Sequence, residues 1–124
     1  MKYHDYHLRG YSVGDYGKTI RLDLVWPGAD QPERVSEIAF SGVAFYSFKH
    51  SAPAIITNID QVPISEFMSD YGTEICQLAA AHGITGWRDT LGNFSAHLNA
   101  SGVQAWYIDS AIGFSGVVLA QAVS

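Results

Sequence analysis

The chain has 124 residues, which is near the commonest size of a single domain and long enough to bury a proper core. Twelve acidic residues against seven basic ones give a formal net charge of −5, and the basic residues form no run, so the composition argues against duplex nucleic acid as a partner. Only 15% of the residues are charged, whereas 13% are aromatic, and tyrosine and tryptophan side chains dominate the energetics of surfaces that become buried.

Other bulk features favour a cytoplasmic protein without disulfides. Cys76 is the single cysteine, so no intramolecular disulfide can form. The opening residues MKYHDYHLRG contain no apolar stretch of the kind found in signal peptides, and no apolar run approaches the length of a membrane span. We therefore expect no membrane partner. No repeat, linker or low-complexity segment is found, which predicts one domain over residues 1–124.

The first half of the chain is typical of β-strands separated by turns. Tyr3–Val13 alternates loosely, Asp15–Lys18 is typical of a turn, and Thr19–Trp26 alternates cleanly, which predicts a hairpin. In the second strand one face carries the apolar residues Ile20, Leu22, Leu24 and Trp26. Further strands are predicted at Glu33–Phe40, Val43–His50 and Ala54–Ile59, with breaks at Ser41-Gly42 and Ser51-Ala52-Pro53.

Pro63–His82 has the clearest helical period in the sequence. Its apolar residues recur at spacings of three and four and predict a core-facing stripe of Ile64, Phe67, Met68, Tyr71, Ile75, Leu78 and Ala79. Gly83 is a natural left-handed stop after His82. Gly72 predicts a kink or a division of the helix, with Thr73 capping the second part.

The last third of the chain predicts a loop, a short helix and a second hairpin. Ile84–Leu91 is predicted as a loop, and the spacing of Leu91, Phe94 and Leu98 predicts a helix over Asn93–Ala100 that ends at Gly102. The predicted hairpin consists of Val103–Ser110, a turn at Ala111-Ile112-Gly113, and Phe114–Ala122. Together these elements predict an α+β fold, with a mainly antiparallel sheet of about six or seven strands packed on one main helix and a short second helix.

The residues that could carry chemistry form no catalytic or metal-binding set. In His4-Asp5-Tyr6-His7 the two histidines point to opposite faces of a strand, which disfavours a metal site. Cys76 lies mid-helix, where no helix dipole lowers the pKa of a thiol, so pairing with His50, His82 or His97 is not favoured. The sequence leaves enzymatic activity open, favours a protein without it, and indicates no cofactor.

Glu66, Asp70 and Glu74 form an acidic ladder on the polar face of the main helix. Like charges four residues apart are mildly unfavourable, so this face is either merely solvated or an acidic patch kept for a basic partner. Trp87 and Arg88 in the following loop are further candidates for partner binding. Alternatively, Trp87, Arg88 and Asp89 provide stacking and charge for a small-molecule or enzyme pocket near Trp87–Phe94.

Three segments resemble the strand motifs of a known class of small bacterial proteins. They are HLRGYSVGDYGKTIRLDLVW, IAFSGVAFYSF and AWYIDSAIGFSGVVLA, and they resemble single-domain immunity proteins that neutralise polymorphic toxins by binding them. These motifs are structural, and no site residue of the family is carried over to this chain. The resemblance implies only a cytosolic protein that acts by binding. Together with the acidic helix face it makes a basic toxin domain one candidate partner, beside self-association.

The leading hypothesis is therefore a non-enzymatic α+β protein that acts through a protein–protein surface. The alternatives are the pocket near Trp87–Phe94 and a homodimer formed through an apolar sheet face or an edge strand.

Overall fold

The structure is a computed structural model and describes residues 5–26, 34–83 and 90–124. It contains six strands, all paired antiparallel, and two helical segments, so the predicted α+β class is confirmed. The strands are β1 (Tyr6–Gly14), β2 (Thr19–Trp26), β3 (Arg34–Ser41), β4 (Phe45–Val62), β5 (Gln104–Ala120) and β6 (Ala122–Val123). Their order in the sheet is β5-β4-β1-β2-β3-β6.

The predicted hairpin of β1 and β2 is confirmed. The two strands pair from His7 opposite Val25 to Gly14 opposite Thr19, and the turn between them has Gly17 at a φ of 91°. Because side chains alternate between the faces of a strand, Ile20, Leu22 and Leu24 lie together and are fully buried. Trp26 was expected with them but is 37% exposed, because it ends the strand, beside the ring of Tyr6.

The predicted C-terminal hairpin is wrong, and so is the division of β4 into two strands. β4 and β5 are each one long strand, and they pair with one another from Phe45 opposite Leu119 to Val62 opposite Ala105. The two expected breaks, at 51–53 and 111–113, lie opposite each other in this ladder, where its register shifts. The break signals therefore mark an irregularity shared by two strands and not chain reversals.

The side chains of β5 point alternately into two separate cores. Val118 and Ala120 lie in the first core, inside the curved sheet, whereas Val117 and Leu119 lie in the second core, between the sheet and the helices. After Gln121 the chain continues into β6, which pairs with β3 at the other end of the strand order. The C-terminal segment thus bends the sheet round the first core.

The main helix runs through the whole predicted segment but changes its pitch near the middle. It consists of α1 (Ile64–Phe67), a wider π-helical turn (Met68–Gly72) and α2 (Thr73–Ala81). Gly83 has a φ of 70°, so the predicted left-handed stop is confirmed. Thr73 has helical dihedral angles and is no cap, so the predicted division of the helix is wrong.

The wider turn also moves part of the predicted apolar stripe out of the core. Phe67 and Gly72 are both buried although they are five residues apart, which is the spacing of a π-helical turn. The extra residue in the turn rotates the following residues about the helix axis. Ile75 therefore remains buried, whereas Leu78, predicted to face the core, is 55% exposed.

The second helix, α3 (Leu91–Ser101), is slightly longer than predicted. Thr90 caps it, since its hydroxyl accepts a hydrogen bond of 3.1 Å from the backbone N–H of Asn93. Gly102 ends it at a φ of 73°, as predicted. Phe94 and Leu98 are buried against the sheet in the second core, which fixes α3 beside the main helix.

Candidate functional site: an acidic groove beside the main helix

A groove of about 540 Å³ runs between the main helix and the outer face of the β4–β5 ladder. The sheet provides its floor, and the helix provides one wall. Side chains that line it include Phe45 and Lys49 from β4, Tyr107 and Asp109 from β5, and Tyr71, Glu74 and Leu78 from the helix. This groove volume is in the range of sites that bind small ligands or single side chains.

Strand alternation places the polar residues of β5 in the groove. Trp106 and Ile108 pack in the first core, so Tyr107 and Asp109 must point to the opposite, outer face. The helices cover only part of this outer face. The partly buried Tyr107, at the edge of the second core, and the exposed Asp109 lie where this cover ends, and both line the groove.

The π-helical turn brings Asp70 and Tyr71 to the same place. The Tyr107 hydroxyl donates a hydrogen bond of 2.7 Å to Oδ2 of Asp70, which joins the turn to the sheet. The rings of Tyr71 and Tyr107 lie at 90° with their centroids 6.0 Å apart. Tyr71 also stacks on the fully buried ring of Phe67, with the ring centroids 5.4 Å apart and an angle of 20° between the ring planes.

Burial and nearby carboxylates together make both phenols hard to ionise. The pKa of Tyr71 is raised above its ordinary value, first by desolvation and then by the negative charges of Asp70, Glu74 and Asp109. The pKa of Tyr107 is raised by desolvation, by its hydrogen bond to Asp70, and by the charges of Asp70 and Glu66. Both tyrosines therefore sit in a negative electrostatic field as neutral phenols.

Charge compensation for these carboxylates is not found in the described part of the chain. The ion pair that the described residues contain joins Arg21 to Glu37, at 2.6 Å, on β2 and β3. None of the groove carboxylates takes part in it. Lys49 lines the same groove but is not among the groups that shift the pKa of Tyr71 or Tyr107.

The predicted site residues have different outcomes. Glu66, Asp70 and Glu74 all act on the Tyr71–Tyr107 pair, and Glu74 lines the groove itself. Trp87 and Arg88 lie outside the described residues. Asp89, named for the alternative pocket near Trp87–Phe94, also lies outside the described residues. Residues 90–94 are described and do not line this groove, and Phe94 is buried in the second core.

Sequence reasoning did not identify Tyr71, Tyr107 or Asp109 as site residues. Tyr71 was assigned to the apolar stripe, and it is only half-buried because it lies in the wider helical turn. Tyr107 and Asp109 are on one face of a predicted strand, which was the available signal. This alternation does not predict which helix packs against that face of the strand.

The remaining candidates for chemistry are histidine, cysteine and carboxylate side chains outside the groove. Among residues 5–26, 34–83 and 90–124, no group of three or more His, Cys, Asp and Glu residues is arranged to hold a metal ion. Cys76 is a half-buried free thiol within α2. His4 lies outside the described residues.

Comparison with known proteins adds no relative. No protein-family model matches the sequence, and no curated protein and no solved structure is significantly similar to it. The helices in the described part of the chain are all too short or too polar to cross a lipid bilayer.

Proposed function

We propose that this protein is a non-enzymatic, cytoplasmic binding protein whose acidic groove receives a basic region of another protein. The observation that carries the proposal is the hydrogen bond of Tyr107 to Asp70. It joins the ring of Tyr107 to the turn of the main helix that carries Asp70, beside the groove that Glu74 and Asp109 line. Nucleic acid and membrane surfaces are not the partners proposed.

The composition of the groove supports a protein partner. Tyrosine is enriched at protein interfaces, where its ring supplies contact area and its hydroxyl a hydrogen bond. Glu74 and Asp109 carry negative charge without a described ion-pair partner, which would complement a positively charged surface. Leu78 adds an exposed apolar side chain at the wall of the same groove.

The resemblance of the strand segments to immunity proteins points to the kind of partner. A protein that neutralises a toxin needs no catalytic set, only a surface that is specific for its target. A basic toxin domain fits an acidic groove by charge, and long-range attraction between opposite charges also speeds the encounter. We therefore extend the proposal to a toxin-neutralising role in a bacterial cytoplasm.

Two other occupants of the groove are distinguished by experiment, namely a small molecule and a second copy of the chain. A groove of about 540 Å³ with Tyr71 and Tyr107 in its lining has the size and composition for a small molecule. A second copy of the chain is the other occupant. The mass of the purified protein in solution and the mass spectrum of the native protein separate these from a protein partner.

The experiment is affinity capture from the cells that produce the protein, with three baits compared. The groove variant is the double substitution Glu74→Gln with Asp109→Asn. The control variant is Glu37→Gln with Asp23→Asn, which removes the same charge from a cross-strand pair on β2 and β3. We expect wild type and control to capture one basic protein in stoichiometric amount and the groove variant to capture at least tenfold less.

Two results would overturn the proposed function. One is the absence of any stoichiometric partner for a monomeric wild-type protein. The other is capture of the same partner by all three baits in equal amount, because the binding surface would then lie away from the groove.

A further inference from the structure

The rings of Tyr71 and Tyr107 form a rigid right-angled corner in the lining of the groove. Their planes are perpendicular and their centroids are 6.0 Å apart. Stacking on the fully buried Phe67 holds the ring of Tyr71, and the hydrogen bond to Asp70 holds that of Tyr107. Two aromatic rings fixed in this way lose little conformational freedom when a ligand packs against them.

Negative charge surrounds this corner on several sides. Asp70 contacts the Tyr107 hydroxyl, Glu74 lies one helical turn beyond Asp70, and Asp109 follows Tyr107 on the same face of β5. After desolvation, the charges of Asp70, Glu74 and Asp109 raise the pKa of Tyr71, and Asp70 also raises the pKa of Tyr107. Tyrosine rings and carboxylates both attract cations, the rings through the negative face of the π-system.

An organic cation fits this arrangement better than a metal ion does. The described carboxylates are not grouped with the geometry of a metal site. Aromatic faces favour a poorly hydrated cation such as guanidinium, and the groove volume of about 540 Å³ leaves room for a side chain that enters from outside.

We propose that the corner between Tyr71 and Tyr107 binds one arginine or lysine side chain of the partner protein. This inference rests on the proposed function, because it takes the groove to be the surface that the partner occupies. The cation lies against the two rings, with Glu74 and Asp109 as its counter-charges. Lys49 bounds the site on the β4 side, where its positive charge partly offsets the attraction of the carboxylates for the bound cation.

The test uses the protein alone with a matched pair of small probes. N-acetyl-arginine methylamide carries the guanidinium group, and N-acetyl-citrulline methylamide is its uncharged isostere. Binding is followed by NMR of ¹³C-labelled tyrosine rings, with the signals of Tyr71 and Tyr107 assigned by substitution to Phe. We expect saturable shifts of these two residues with the arginine probe and at least tenfold weaker binding of the citrulline probe.

Variants of the charged side chains give the second part of the test. Glu74→Gln and Asp109→Asn should each weaken binding of the arginine probe several-fold, whereas Glu37→Gln, on β3, should leave it unchanged. Lys49→Gln should strengthen binding, because it removes a repulsive charge. Unchanged backbone amide spectra confirm that each variant is folded.

Equal binding of both probes, or an equal effect of Glu37→Gln and Glu74→Gln, would overturn the inference. Failure here is distinguishable from failure of the proposed function. If the arginine probe does not bind but the groove variant still loses its captured partner, the cation corner is wrong and the protein-binding role stands. If the probe binds but no partner depends on the groove, the corner stands and the proposed function is wrong.

Discussion

The hydroxyl of Tyr107 on β5 donates a 2.7 Å hydrogen bond to the carboxylate of Asp70 in the π-helical turn. It links the sheet to the main helix at the edge of the second core, against which Tyr107 packs. The same two segments bring the ring of Tyr107 against that of Tyr71. One contact therefore contributes both to the attachment of the helix and to the shape of the groove.

Replacement of Tyr107 by Phe should remove this bond and keep the ring. A hydrogen bond of this kind contributes on the order of 1 kcal/mol, so we expect the free energy of unfolding in urea to fall by about 1 kcal/mol. Tyr46→Phe is the control, since Tyr46 is exposed and its hydroxyl makes no hydrogen bond among those found in the described residues. Equal stability of the two variants would contradict the structural role of the bond.

The raised pKa values of Tyr71 and Tyr107 give a prediction at high pH. The ordinary pKa of a tyrosine is 10.0, and the folded state raises it for both residues. Folding therefore favours the neutral phenols, so their contribution to stability is complete below pH 10 and is lost as the pH rises above 10. We expect the double variant with Phe at both positions to lose less stability than wild type between pH 9 and about pH 11.

Absorbance of the phenolate near 295 nm measures the same effect directly. The difference between the titration curves of wild type and the double Phe variant isolates Tyr71 and Tyr107. This difference should develop above pH 10 while the protein remains folded. A difference curve centred at pH 10 or below would show that burial and the carboxylates do not act on these phenols.

The π-helical turn predicts that truncation to alanine destabilises the protein much more at Ile75 than at Leu78. Ile75 is buried and Leu78 is exposed, although a regular helix would place both in the apolar stripe. Ile75→Ala should cost about 2–5 kcal/mol of unfolding free energy, whereas Leu78→Ala should cost less than about 1 kcal/mol. Similar losses from both substitutions would mean that the helix keeps a regular pitch.

Gly113 is predicted to be irreplaceable at the irregularity between β4 and β5. It has a φ of 86°, and a Cβ atom there would overlap the backbone carbonyl oxygens of Pro53 and Ser51. Gly113→Ala should lower the unfolding free energy by more than about 2 kcal/mol, because rigid backbone would have to move. Gly92→Ala in α3 is the control: nothing lies near its added methyl group, and stability should be unchanged or raised by up to about 1 kcal/mol.

Local patterns predicted much of the fold because they report on one segment at a time. The alternation of Thr19–Trp26 is confirmed by the complete burial of Ile20, Leu22 and Leu24. The glycines expected to end the two helices, Gly83 and Gly102, both have positive φ. Turn, cap and periodicity signals of this kind depend on sterics within a few residues.

The errors arose where two distant segments decide the structure together. Ala111-Ile112-Gly113 reads as a turn by itself, and only its position opposite Ser51-Ala52-Pro53 makes it part of a continuous ladder. The candidate site likewise depends on contacts between segments that are distant in sequence. The acidic ladder Glu66, Asp70 and Glu74 was visible at its four-residue spacing, whereas the approach of Tyr107 depends on strand pairing that no local pattern encodes.

Amide hydrogen–deuterium exchange locates most directly the surface that binds a basic partner, which is proposed to be the groove. Exchange is measured on the wild-type protein, free and in complex with its captured partner. We expect slowed exchange in peptides that cover residues 71–78, 45–49 and 107–109, which contribute most of the groove lining. Protection confined to residues 19–26 and 34–41, on β2 and β3, with unchanged exchange at the groove, would contradict this proposal.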